Sequence, residues 1–344
     1  MNEPDPMRPD PASPPMGKIL VTVFVLAAIS AGALAWFQHR FLEGEPDIAL
    51  EHNPYRPAEV LGQLENARIT ESSGIAMSRS NPGLKWTHND SGHSPDLFLI
   101  GPRGEDRGTF RIERARNIDW EDIASIEIRG RHFLLVGDIG DNRRRREHYT
   151  IYIVEEPKVR DERIRGGRLE PILAFDFVFE DGPRDCESLA YDPITGHIYL
   201  IDKPPLHFGG RGPQPPAQLY RLPLPERPPD EPLTARHVAD LPPIIPTAMD
   251  ISPDGQRMIV LTYGDAFEYH RQRKDEPWSE AVKRKPYRVS MPRRRQGEAI
   301  CYSLDGQALF STTEGRRSPL WRLQRRTGDG DAGEDEGDDD GEAE

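Results

Sequence analysis

Short apolar runs recur along most of the chain, each set off by glycine, proline, asparagine or aspartate. Runs of this length between turn formers predict β-strands rather than helices, which need longer stretches with a 3.6-residue period. Aligned on one apolar position, the chain gives five copies of a pattern: Glu71-Ser-Ser-Gly-Ile75, Asp119-Trp-Glu121-Asp-Ile123, Asp185-Cys-Glu187-Ser-Leu189, Thr247-Ala-Met249-Asp-Ile251 and Gln296-Gly-Glu298-Ala-Ile300. The intervals between them are 48, 66, 62 and 49 residues. A turn signal follows each copy, then second runs at Lys85–His88, Phe133–Val136, Ile198–Ile201, Met258–Thr262 and Ala308–Ser311. Third runs recur as well, and fourth runs follow every copy but the last, while residues 59–69 ahead of the first copy supply a spare strand. Four-stranded units arranged radially, with the first strand closing the last unit, predict an all-β β-propeller of five blades, with six as the alternative.

The N-terminal part carries a different pattern. Residues 19–37 contain no charge and, apart from Thr22, Ser30 and Gly32, only apolar side chains. At about 1.5 Å per residue they nearly span a bilayer core, so one N-terminal transmembrane helix is expected. Being the first segment, with a short tail before it, it predicts the N-terminus inside and the rest outside. Ala33-Leu-Ala35 resembles a cleavage site, but the run is longer than a signal-peptide core, which points to an uncleaved anchor. The expected organisation is a tail at 1–18, the anchor at 19–37, a linker at 38–58, the propeller at 59–326 and a disordered acidic tail at 327–344.

Charge matters once it is located. The formal net charge is −13, yet residues 327–344 hold ten Asp and Glu with no Lys or Arg, leaving a nearly neutral body. Nothing in that balance suggests a nucleic-acid partner. The two cysteines, Cys186 and Cys301, fall in copies that are not adjacent and are expected to be buried free thiols. The fingerprints of a nucleophile elbow, a phosphate loop or a dinucleotide site do not occur in the sequence.

In an up-and-down blade, the loop entering the first strand and the loop leaving the second share one face of the disc. That face collects Glu71, Asp119, Glu121, Asp185, Glu187 and Glu298 from the entering loops and first strands, and Asn89, Asp90, Asp138, Asp141, Asn142, Lys203, Asp265 and Glu314 from the leaving loops. Glu121, Glu187 and Glu298 share one register and should converge on the axis. Packed carboxylates repel unless a raised pKa, an arginine or a hard cation neutralises them. A metal held by these three, calcium first because oxygen-rich irregular sites suit it, stands beside the alternative that each bonds neighbouring amides or arginines.

The Glu-Ser-Ser-Gly-Ile, Trp-Glu-Asp-Ile-Ala, Glu-Ser-Leu-Ala-Tyr-Asp and Gln-Gly-Glu-Ala-Ile series, with Thr87-His-Asn-Asp-Ser-Gly92 and Gly137-Asp-Ile-Gly-Asp-Asn142, resembles a group of bacterial envelope β-propellers. It is similar, more distantly, to the SdiA-regulated and phytase-like propellers. The resemblance covers roughly residues 59–324; together with the segment at 19–37 it makes the expected protein a single-pass one of the bacterial inner membrane with its propeller outside the cytoplasm. It also implies calcium at Glu121, Glu187 and Glu298. The chain departs from the pattern at Ser73 and Met249 and lacks the multi-aspartate, lysine-rich phosphate site of a true phytase. Three functions are consistent with this reading: a cation-binding propeller recognising a small anionic ligand or a protein partner, a calcium-dependent phosphoester or ester hydrolase, and a structural scaffold.

Overall fold

The computed structural model describes residues 48–50, 52–159, 166–205, 214–294 and 296–326. The expected anchor at 19–37, the tails at 1–18 and 327–344, most of the linker and Arg295 lie outside them. Among the described residues, no helix is long and apolar enough to cross a membrane.

The strands form successive antiparallel meanders. The first comprises β2 (Ser72–Met77), β3 (Lys85–Asn89), β4 (Asp96–Ile100) and β5 (Asp106–Ile112). In the second, β6 (Trp120–Ile128), β7 (Arg131–Asp138) and β8 (Tyr149–Glu155) are followed by β10 (Pro171–Phe179), with a short β9 (Gly166–Leu169) between them. β11 (Cys186–Asp192), β12 (His197–Asp202), β13 (Gln218–Pro223) and β14 (Leu233–Asp240) make the third. The fourth has β15 (Pro246–Ile251), β16 (Arg257–Thr262), β17 (Ala266–His270) and β18 (Tyr287–Val289), with one helical turn, α1 (Trp278–Ala281), before its last strand. β19 (Gly297–Tyr302), β20 (Ala308–Thr313) and β21 (Pro319–Gln324) form the last, and β1 (Glu59–Gln63) completes it by pairing antiparallel with β21. The spare N-terminal strand therefore closes the last sheet, as the sequence pattern predicts.

Burial follows position in each sheet. Every residue of β2 is buried, whereas β10 alternates, because an inner strand is packed on both faces and an outer one has a face towards water. The first strands pack in a cycle, β2 on β6, β6 on β11, β11 on β15, β15 on β19 and β19 back on β2. An all-β ring of this kind is a β-propeller. Its core lies between neighbouring sheets: Leu135, Phe177, Leu189 and Leu200 meet between the second and third meanders, and Ile259, Leu261, Ile300 and Leu309 between the fourth and fifth. Parallel pairings of β9 with β5 and of β10 with β14 stitch the outer edges of the first three meanders together.

One register differs from the sequence alignment. In every first strand the pairing with the second strand slips by one residue, and the extra residue is Glu121 in β6, Glu187 in β11 and Glu298 in β19. In β2 the slip falls at Ser73-Gly74, and in β15 it falls at Thr247. Thr247, not Met249, thus occupies the position of the glutamates, two residues earlier than the apolar alignment on Ile251 suggests. Met249 takes the apolar place of Leu189, and both donate their backbone N–H to Asp122 Oδ2, at 3.2 and 2.9 Å. The alignment failed there because Met249 and Ile251 are both apolar and both buried, so either satisfies the pattern.

The chain enters and leaves the ring beside the fourth meander. Glu268 on β17 is fully buried and accepts hydrogen bonds from Tyr55 Oη (2.5 Å), Tyr302 Oη (2.9 Å) and His270 Nε2 (2.6 Å). Arg325 Nη1 reaches its Oε2 at 3.0 Å, and Arg257 Nη1 lies 4.0 Å from Oε1. Cys186 and Cys301 are buried free thiols.

Candidate functional site

A bulge adds one residue to a strand and turns its side chain away from the ordinary pleat, a device common beside functional sites. Here the bulges put Glu121, Glu187 and Glu298 at the start of three inner strands, each buried. Ser73 and Thr247 hold the same position in the other two strands and are spent on structure. Ser73 Oγ donates to the Glu121 carbonyl at 2.8 Å, and Thr247 Oγ1 donates to the Gly297 carbonyl at 2.5 Å.

The three glutamates feel one another. Burial pushes the Glu121 and Glu298 carboxyls well above the usual carboxylate range, and the charge of Glu187 adds to both shifts. Burial also raises Glu187, to about 7, against the opposing pull of Lys203, whose Nζ donates to Glu187 Oε1 at 2.6 Å. Lys203 sits over the Tyr263 ring, 5.7 Å from its centroid, and its charge acts on Glu121, Glu187, Glu298, Asp90 and Glu314 alike. One ammonium therefore serves at least five carboxyl groups.

The tightest group is not the three glutamates. Asp90, Asp119 and Glu121 each offer an oxygen, and these atoms lie within 4.8 Å of one another. Asp90 follows β3, Asp119 precedes β6 and Glu121 is the β6 bulge, so two adjacent meanders build the trio. Burial raises Asp119 to about 6, helped by the charges of Asp90 and Asp185, and burial raises Asp90 too. Gly140 makes room for them: a Cβ there would overlap Glu121 Oε1 and Asp119 Oδ2. Its backbone N–H donates to the Asp119 carbonyl at 3.1 Å, so the loop after β7 lies directly against the acids.

Other expected mouth residues are engaged elsewhere. Asn89 Oδ1 accepts from the Thr70 and Glu71 amides, and Asp138 accepts from the Ile118 and Asp119 amides and pairs with Arg146 at 2.7 Å. Asp141 caps its own loop through the Arg145 and Arg146 amides and the Tyr149 hydroxyl. Asp185 Oδ1 accepts the Asp141 amide, Asp265 Oδ1 accepts the Met291 amide, and Asn142 is exposed. Glu71 lies 3.3 Å from His93 Nδ1, and burial raises Glu314 beside Asp90 and Glu71. These hydrogen bonds hold the loops that carry the acids. Gly140, Tyr263 and Thr247 escaped the sequence reading; the motif Gly137-Asp-Ile-Gly-Asp-Asn142 contained the first, and a two-residue shift of the fourth copy would have found the last.

Chemically, the mouth is a cluster of hard oxygen donors short of positive charge. No family model matches the chain, and no curated protein was found to match it. Among solved structures, a gluconolactonase from Xanthomonas campestris aligns over 82% of this chain and 99% of its own at 11% identity and a TM-score of 0.39. A putative 6-phosphogluconolactonase from Bacteroides uniformis aligns over 75% and 69% at 14% identity and a TM-score of 0.37. Likeness at that level carries no argument about chemistry, which rests on the side chains themselves.

Proposed function

We propose that the body is a five-bladed β-propeller that binds a divalent cation, calcium first, at the channel mouth and uses that mouth to recognise a small anionic ligand or a protein partner. The observation that carries this reading is the trio Asp90, Asp119 and Glu121, with oxygens within 4.8 Å of one another and too little positive charge nearby. The donor set fits a hard cation: carboxylate oxygens from separate chain segments suit calcium's irregular shell better than magnesium's strict octahedron. Asp90, Asp119 and Glu121 would hold the ion, with Glu187 and Glu298 as further carboxylates around it, and the bound charge would attract an anionic group. Residues 19–37 would tether the propeller to the inner membrane, with the body outside the cytoplasm.

A second reading is a metal-dependent ester or phosphoester hydrolase. What favours it is Glu298, buried at the mouth with its carboxyl pushed well above the usual range, so that it holds a proton it can donate. A bound cation would supply polarisation of a substrate oxygen.

The deciding experiment is calorimetric titration of chelator-treated protein with calcium. Saturable heat that Glu121→Gln abolishes and Glu298→Gln weakens supports the cation site. Absence of heat, with no change in melting temperature, rejects it. Turnover of phosphoric or carboxylic esters that calcium stimulates and Glu298→Gln removes would select the hydrolase.

A further inference from the structure

The inner strands end at a second mouth, at the opposite end of the channel from Glu121. A cavity of about 200 Å³ lies there, lined by the ends of β2, β6, β15 and β19 and by the turn after β11. Its wall is apolar at Ile75, Ile123 and Ile251, and polar at Arg79, Ser125 and Asp250.

The polar groups are held in place yet have capacity to spare. Arg79 Nε donates to the Ser125 carbonyl at 3.1 Å, which fixes the guanidinium beside that serine. Its backbone N–H is anchored separately, on Glu156 Oε2 at 3.0 Å. Among the described residues the terminal guanidinium nitrogens have no hydrogen-bond partner. Ser125 Oγ has none either, but it is sealed in the wall with almost no surface towards the cavity. The Arg79 guanidinium, on a half-exposed residue that lines the cavity, is the planar fork that best matches a carboxylate.

Asp250 does not spoil the site for an anion. Its two oxygens accept the Ile251 and Tyr302 amides, both at 2.8 Å. Burial raises its pKa to about 7 against the pull of those two amides and, after them, of the Arg79 charge, so below neutral pH it is mostly an uncharged acid. Glu127 also lines the cavity, but it is exposed and lies 3.7 Å from His132, at the rim.

We infer that this second mouth binds a small carboxylic acid with an apolar body, its carboxylate held by Arg79 and its hydrocarbon against Ile75, Ile123 and Ile251. The cavity is smaller than those that enclose drug-sized ligands, so the fit is to a short branched chain. A zwitterion such as an amino acid would bring an ammonium that needs an ionised Asp250, which the surroundings resist.

The test is calorimetric titration of the full chain, kept in mild detergent with a chelator at about pH 6, where a carboxylate probe is ionised and Asp250 is largely not. The chelator separates this site from the proposed cation site, whose success or failure leaves the result untouched. The probe is 4-methylpentanoate, compared with 4-methylpentanamide and leucine. Saturable binding of the acid is expected, with at least tenfold weaker binding of the amide. Arg79→Met should lose binding by tenfold or more, with melting curves confirming folded protein. Equal affinity for the acid and the amide overturns the assignment even if Arg79→Met does not fold. Undiminished binding in a folded Arg79→Met, tighter binding of leucine than of the acid, or no binding of the acid also overturns it.

Discussion

Two groups of buried acids in this ring meet opposite fates. Glu268 has Tyr55, Tyr302, His270 and Arg325 around it, and its carboxyl is held at about 2 although burial alone would raise it. At the channel mouth, Glu121, Glu187, Glu298 and Asp90 share one lysine, Asp119 feels only the more distant pull of Arg146, and all five are pushed up. Burial acts in the same direction at both places; only the provision of partners differs. Where a carboxylate ties the chain together, the fold surrounds it with donors. At the mouth it does not, although arginines are near: Arg144 and Arg146 turn to backbone carbonyls and to Asp138, and Arg294 to the Thr262 carbonyl. The deficit is a built property of the mouth, and the obvious remedy is something bound.

The largest effect should come from removing the compensated acid. Glu268→Gln leaves Arg325 and Arg257 without their buried anion and should cost on the order of 3–5 kcal/mol. In a protein of this size that is roughly ten degrees in melting temperature, readable by calorimetry. A loss below about 1 kcal/mol would place Glu268 with the dispensable surface acids.

The two regions should also respond oppositely to pH. Glu268 has a folded pKa below its unfolded value, so its contribution is full above about pH 4.5 and is lost as pH falls towards 2. Asp119 and Glu187 have folded values above their unfolded ones, near 6 and 7, so their contribution is full below about pH 4 and is lost as pH rises through 6 and 7. Melting of chelator-treated protein should therefore peak near pH 4 and decline towards pH 8. Calcium should flatten the upper decline and leave the acid limb unchanged. A neutral limb that is flat without metal would mean that the mouth acids are not coupled to folding.

The smallest effect concerns the backbone beside the trio. Gly140→Ala puts a methyl group where Glu121 Oε1 and Asp119 Oδ2 now lie and should weaken calcium about tenfold, with a stability cost of about 1–3 kcal/mol. Calcium affinity equal to that of the unaltered protein would move the ion away from this pair and towards Glu187 and Glu298.

The fold was largely legible because a propeller repeats its turn signals and strand lengths, and because the last copy lacked a strand that residues 59–69 could supply. The sharing of charge by Glu121, Glu187 and Glu298 was legible for the same reason, since equal register in radial sheets means a common axis. Distance was not legible. The trio of Asp90, Asp119 and Glu121 depends on how two loops fold back over a bulge, and nothing in the repeat encodes that. Nor could the pattern say which aspartates are spent on amides: Asp138 ends β7 and Asp90 stands one place further on, just after β3, yet the first accepts two amides and the second faces the cluster. The fourth copy misled because apolar alignment is indifferent to a shift between two buried residues, whereas the bulge is not.

The meeting of the ring's entering and leaving segments at Tyr55 has a consequence for engineering. The Arg56 amide donates to the Gln324 carbonyl at 2.8 Å, and the Arg326 amide donates to the Pro54 carbonyl at 2.9 Å. Entry and exit are thus one place, a seam a few ångströms wide. A disc sewn shut in this way can be spliced into a surface loop of another protein without stretching either partner, because host and guest need only share that seam.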